Sequence, residues 1–361
     1  MDKQSHLLVC ISAHGFGHVA QTAPVLNALH ARMPDLRITI RSMASMEHLR
    51  SRIHVPFDYV REGSDIGMLM SSALDVNVKA SADAYQQVHR DWGSRVMREA
   101  SALREFSPDF VLSNVGYLPL AGANRAGIPC AAMSSLNWAD IYAHYGAGIS
   151  GTHHITTQML VAYNSAEVFL SLTPGMPMND LYHRQVIGPI AEVRQSRRGE
   201  INNRLNMHPD EKLVLVSLGG ITGRLPTERW PRLPGVRWLV PADWRSMHPD
   251  AFVLESLEMP FGDVLASVDA LVCKPGYGSF VEAACAGVPV LYGSRADWPE
   301  TAALTQWLAE HAISREVSRL ALESGDFATA LEAVLNQTKP QPVAPTGIAE
   351  AVDWLEKRLR V

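Results

Sequence analysis

Short apolar runs alternate along the chain with longer stretches in which apolar residues recur every three or four positions. Runs of four to six β-branched or apolar residues without polar alternation read as strands buried on both faces, as in a parallel sheet. In the first half they fall at Leu7–Ser12, Leu36–Arg41, Phe57–Val60, Asp109–Ser113, Cys130–Ser134 and Val168–Leu172. Helical periodicity fills the intervals, most clearly at Val19–Arg32, Ala80–Phe106 and Thr152–Asn164. The pattern restarts after a charged stretch at Arg194–Glu200. Strands are then predicted at Leu213–Leu218, Val236–Val240, Phe252–Leu254, Ala270–Cys273 and Val288–Leu291. Helices are predicted at Gly278–Ala286, Glu300–His311, Phe327–Leu335 and Ile348–Leu359. Strand–helix alternation in two blocks predicts an α/β protein of two doubly wound, Rossmann-like domains facing a cleft.

Turn-forming residues cluster at Thr173–Pro177 and at Gly188-Pro189, which places the linker between the blocks. The expected organisation is 1–188, 189–340 and a terminal helix, 341–361, packing back near the first domain; Pro340, Pro342 and Pro345 make a stiff connector before it.

Composition changes this picture little. The 361 residues suffice for two cores, and 47% apolar with 19% charged residues is globular composition. The net charge of −5 and the lack of a basic stripe speak against nucleic acid as a partner. Apolar runs are strand length, well short of a membrane span, and Met1–His6 is not a charged leader. The expected location is the cytoplasm; Met68-Leu69-Met70 and the Ala80–Phe106 helix read first as packing, and otherwise as an acceptor-site wall or a peripheral membrane contact. Cys10, Cys130, Cys273 and Cys285 are scattered in apolar contexts, which predicts reduced, buried thiols and no zinc site.

Ligands of open α/β sheets sit beyond the carboxyl ends of strands, and three glycine-bearing turns follow strands here. The first, Ser12-Ala13-His14-Gly15-Phe16-Gly17-His18, ends one strand and opens a helix. Its amides make an anion site at a helix N-terminus, and His18 is a candidate general base. His14, Gly15 and Gly17 are candidates for phosphate or acceptor contact. Gly15–Ala20 also fits a GxGxxA dinucleotide pattern. However, the second strand ends Ile40-Arg41-Ser42 without the acidic residue that NAD requires, leaving NADP as a remote option. The second turn, Ser217–Arg224, offers Gly219, Gly220, Thr222 and Arg224 to a diphosphate. The third, Cys273–Glu282, brings Gly276, Gly278 and Ser279 to a helix start with Glu282 one turn inside. Downstream, Asp297 and Glu300 can accept sugar hydroxyls.

From the third turn to Glu300 the sequence resembles the donor-binding segment of UDP-glycosyltransferases and of the lipid II-forming N-acetylglucosaminyltransferase. The Lys274–Ser279 run and Asp65-Ile66-Gly67 also resemble the glycosyltransferase-like N-terminal part of L-arabinokinases. The resemblance implies a GT-B fold. It implies a diphosphate on Gly276, Gly278 and Ser279, a ribose on Glu282 and a sugar on Asp297. It carries the base onto His18. Trp298 stands where that family has a glutamine. Gln21 replaces the usual arginine or proline three residues after the histidine, and Asn114 follows the strand whose end carries an aspartate in natural-product enzymes. Asp65 is the candidate acid to assist His18.

The expected function is an inverting, metal-independent glycosyl transfer to an acceptor hydroxyl. The donor is a nucleotide-sugar substrate, UDP-sugar favoured, with no cofactor. A nucleotide-sugar hydrolase or epimerase on the same fold is the first alternative, and a non-catalytic nucleotide-sugar-binding protein the second.

Overall fold

A computed structural model describes residues 4–72, 74–220, 223–338 and 340–360. The chain divides into two compact units. Unit 1 comprises Met1–Ile190 and Thr346–Val361, and unit 2 comprises Ala191–Pro345.

Unit 1 begins β1 (His6–Ile11), α1 (Gly17–Arg32), β2 (Arg37–Ser42), α2 (Met46–Arg52), β3 (Asp58–Val60), α3 (Val78–Arg90) and α4 (Trp92–Phe106). It continues β4 (Phe110–Asn114), α5 (Leu118–Ala126), β5 (Cys130–Ser134), α6 (Trp138–Tyr145), α7 (Thr152–Tyr163), β6 (Val168–Leu172) and β7 (Arg184–Ile187). Its seven strands are all parallel, in the order β3-β2-β1-β4-β5-β6-β7. β1, β4, β5 and β6 are buried along their whole length, as a sheet covered on both faces requires.

Unit 2 runs α8 (Arg198–Leu205), β8 (Lys212–Ser217), β9 (Val236–Val240), β10 (Ala251–Val253), α9 (Phe261–Leu265), β11 (Ala270–Cys273), α10 (Tyr277–Ala286), β12 (Val290–Gly293), α11 (Thr301–His311), β13 (Ser314–Val317), α12 (Arg319–Ser324) and α13 (Ala328–Leu335). Its six-stranded parallel sheet has the order β10-β9-β8-β11-β12-β13. One face carries Trp230, Trp238 and Phe327, with rings 4.8–6.0 Å apart.

The last helix, α14 (Gly347–Leu359), belongs to unit 1: Trp354 meets Phe110 of β4 edge-on at 5.8 Å. Gly347 N donates to Pro189 O at 3.0 Å, and a side chain on Gly188 would collide with Thr346. The chain therefore leaves unit 1 and re-enters it at one place.

Several details differ from the sequence expectation. Ala80–Phe106 is two helices, broken at Asp91, whose backbone (φ −117°, ψ 41°) caps α3 and starts α4. The edge strands β7 and β13 are additional. All four cysteines are free and buried. Among the described residues no helix is long and apolar enough to cross a membrane, and no three His, Cys, Asp or Glu side chains gather as metal ligands.

In each sheet the strand order reverses once, between β1 and β4 and between β8 and β11. Crevices open at the carboxyl ends of strands at such points. The first and third glycine turns follow β1 and β11, and the second follows β8.

Candidate active site

In unit 1 the turn after β1 closes tightly. Gly15 has φ +78°, a left-handed conformation that glycine tolerates at little cost. No side chain caps the N-terminus of α1. At Gly17 an added Cβ would meet nothing within 4 Å, so packing does not demand glycine there.

His18, in the first turn of α1, is 5% exposed. Its Nδ1 lies 2.8 Å from Asn114 Oδ1 at the end of β4. Trp138, at the start of α6, lies against its ring at 5.8 Å. An amide oxygen only accepts hydrogen bonds, so Nδ1 carries the hydrogen and Nε2 keeps a lone pair. Burial pushes the imidazole down to about 4, and the Asn114 bond opposes that only in part. His18 is therefore neutral at pH 7, the form a general base needs.

Asp65 is not the partner of His18. Its carboxylate accepts from Ser12 Oγ at 3.1 Å and from Trp138 Nε1 at 2.6 Å. Burial pushes its carboxyl up to about 6, against the lowering effect of those two bonds. It ties the β3–α3 loop to the turn after β1 and to the tryptophan that packs on His18. His14 is held in the same assembly. Its Nε2 lies 3.1 Å from Met68 O, and its ring meets Trp138 edge-on at 5.1 Å. Gly67, at φ +63°, lets the loop approach: a Cβ there would come within 2.8 Å of the His14 ring.

Arg41, at the end of β2, has no exposed side-chain surface and is ion-paired with Glu99 of α4. That guanidinium is committed inside the fold, not offered to a cofactor phosphate.

In unit 2 the turn after β11 enters α10 without a side-chain cap. Gly276 is extended (φ −176°, ψ 140°), a conformation open to any residue, and a Cβ there would meet nothing within 4 Å. Neither backbone nor packing calls for glycine at this position; close approach of a ligand would. Gly278 and Ser279 follow in the first turn of α10, both partly exposed, and Glu282 is buried one turn further.

Two cations here escaped the sequence reading. The Lys274 ammonium is pushed down to about 8, first by burial and then by the nearby Arg295 guanidinium. Arg295 is buried and lies 4.4 Å over the Trp298 ring. Lys274 directly precedes the turn into α10, where positive charge favours an anion, and the Glu300 carboxylate offsets part of the repulsion from Arg295. The available signal was their position directly after β11 and β12.

The other expected donor contacts are spread more widely. Asp297 is exposed, whereas Glu300 is buried and accepts from Trp298 Nε1 at 3.2 Å. After β8, Gly219 (φ +76°) and Gly220 are exposed, and Arg224 is ion-paired with Glu228. Thr222 lies outside the described residues.

The fold has structural relatives. Over 99% of this chain and 95% of its own, the glycotransferase of kitacinnamycin superposes with a TM-score of 0.64 at 18% identity. UGT2 of Phytolacca americana, solved with UDP-2fluoro-glucose and pterostilbene, covers 99% of this chain and 94% of its own (TM-score 0.57, 14% identity). The fold is GT-B. It is shared by a putative UDP-N-acetylglucosamine 2-epimerase from Listeria monocytogenes, over 98% and 95% of the two chains (TM-score 0.58, 12% identity). In sequence, the chain is 26% identical to L-arabinokinase of Arabidopsis thaliana over 329 residues, 89% of this chain. It spans 31% of that relative's length. No protein-family model matches.

Proposed function

We propose that this protein moves a glycosyl group from a nucleotide-sugar, UDP-sugar first, to an acceptor hydroxyl, with inversion and without a metal. The observation that carries the donor half is the α10 N-terminus. Its N-cap is a glycine, Gly276 leaves room for close approach, and Lys274 and Arg295 add positive charge. In this reading the diphosphate lies on Gly276–Ser279 and the ribose on Glu282. Asp297 and Trp298 lie toward the sugar, and Glu300 supports Trp298. Amides, helix dipole and cations take up the charge of the departing diphosphate, the task a metal performs in other transferases.

The acceptor half rests on His18. Its Nε2 takes the proton of the acceptor hydroxyl while that oxygen bonds to the anomeric carbon and the bond to the diphosphate breaks. His14, Gly15 and Gly17 shape the turn beside it, and Asp65 holds Trp138 against it. The solved transferases support this reading at the level of fold. The epimerase likeness supports a second reading, turnover of the same donor without an acceptor.

The test is incubation with UDP-sugars, with and without a panel of hydroxyl acceptors, read by product mass and by the anomeric configuration of the product. Acceptor-dependent release of UDP with inverted product is expected. Acceptor-independent release or exchange at sugar C2 would replace transfer by hydrolysis or epimerisation. Binding with no turnover would leave only a nucleotide-sugar-binding role.

A further inference from the structure

The residue behind His18 is an amide where a carboxylate would serve both to orient an imidazole and to stabilise its cation. A carboxylate orients in either rotation. An amide does so only if its oxygen faces the ring, so something must prevent Asn114 from turning over. The polar chain behind it is unusually complete. Asn114 Nδ2 donates to Gln21 Oε1 at 3.1 Å. Gln21 Nε2 donates to Ser135 Oγ at 2.8 Å. Ser134 Oγ accepts the amide of Leu136 at 3.3 Å, which leaves its own hydrogen for Gln21 Oε1 at 3.4 Å. All four side chains are at most 2% exposed.

These polarities interlock. If Asn114 alone turned over, its Oδ1 would face Gln21 Oε1, two acceptors with no proton between them. If Gln21 turned with it, the hydroxyl of Ser134 would face an NH₂ group and lose its acceptor. Buried polar groups without partners are costly. One rotamer of each amide therefore satisfies the whole set, and in it the hydrogen of His18 sits on Nδ1.

We propose that Gln21, seated on Ser134 and Ser135, is a positioning residue that fixes through Asn114 which nitrogen of His18 carries the hydrogen. The inference rests on the general-base reading of His18. Gln21 does not touch the reacting atoms. It keeps Nε2 in the proton-accepting form. Of the titratable groups that share Trp138 with His18, Asp65 bonds Ser12 and Trp138, and His14 Nε2 lies against Met68 O.

The experiment is long-range ¹H–¹⁵N correlation of the protein labelled at histidine, with the His18 signals identified by their loss in His18→Ala. In the wild type, Nδ1 is expected at the protonated shift and Nε2 at the lone-pair shift. Gln21→Met keeps helix propensity and volume but removes all three of these side-chain hydrogen bonds. It is expected to give a mixture of tautomers, with kcat falling in proportion to the lost Nδ1–H form and KM unchanged. In an Asn114→Asp background either rotation accepts, so Gln21→Met should no longer alter the tautomer, an outcome a merely structural role would not give. If Gln21→Met does not fold, Ser134→Ala removes the donor that sets the polarity and is read in the same way. Hydrogen on Nε2 in the wild type, or an unchanged tautomer in the variant, overturns the proposal. Normal turnover of His18→Ala alongside the Nδ1–H form would sink the base reading and leave the positioning intact.

Discussion

His18→Ala is expected to lower turnover by about 10²–10⁴-fold while leaving affinity for the nucleotide nearly unchanged. The donor contacts proposed above lie in unit 2, so this side chain contributes to the reaction and little to donor binding. The pH profile separates this role from a structural one. Burial depresses the imidazole from its ordinary value of 6.5 to about 4, so the base form persists down to that pH. Wild-type activity should fall as pH drops through about 4, and the variant should lack that limb. The same shift bears on stability. A group whose native value is depressed stabilises the fold above its unfolded value and loses that contribution as pH falls from 6.5 through about 4. The comparison is therefore best made near pH 7. If His18 only secured the first turn of α1, the variant would lose about 1 kcal/mol of stability and keep its rate. Wild-type turnover with an unchanged profile would remove His18 from the mechanism.

Glu282→Ala should weaken nucleoside diphosphate binding by about 1.5–3 kcal/mol, the worth of a hydrogen bond to a charged group, or roughly 10- to 150-fold in Kd. Glu282 is buried in α10 beside the proposed diphosphate turn. Its neighbours Phe280, Val281, Ala283 and Ala284 are wholly buried and hold the helix in place. The fold should survive, as a thermal melt would show. Calorimetry with UDP measures the effect, and equal affinity in wild type and variant would exclude the ribose contact.

The sheets were legible in the sequence because strands buried on both faces must be apolar throughout, as in Leu7–Ile11 and Leu213–Val216. The edges were not. β7 is Arg184–Ile187 and β13 is Ser314–Val317, polar segments with one covered side and no continuous apolar run. The break at Asp91 was missed because Gly93, two residues on, was the one local mark and apolar periodicity continues across it. At the candidate site, the glycine turns and His18 stood out because their chemistry is local. Of the support behind them, Asn114 and Gln21 were marked only through the family resemblance, and Ser134 and Ser135 not at all. Asn114 lies 96 residues from His18 and 93 from Gln21, and Ser135 lies 114 from Gln21. No spacing rule links such positions until the sheet brings β1, β4 and β5 side by side. Asp65 was singled out as an acid to assist His18, whereas its carboxylate bonds Ser12 and Trp138. Its choice of Trp138 over His18 is set by packing.

The return of α14 to unit 1 makes unit 2 a guest inserted into a host. Its entry and exit lie together, where Gly347 bonds to Pro189 and Gly188 leaves no room for a side chain beside Thr346. Truncation and excision should therefore behave differently. A chain stopped at Ile190 loses α14 and with it the Trp354 ring packed on Phe110 and the apolar face that α14 buries. A chain in which Ile190 is joined to Thr346 by a short link, omitting Ala191–Pro345, keeps every strand of the host sheet and the helix that closes it. The second should melt cooperatively and the first should not; equal melting of both would show that the terminal helix is an ornament and not a closing piece of the host.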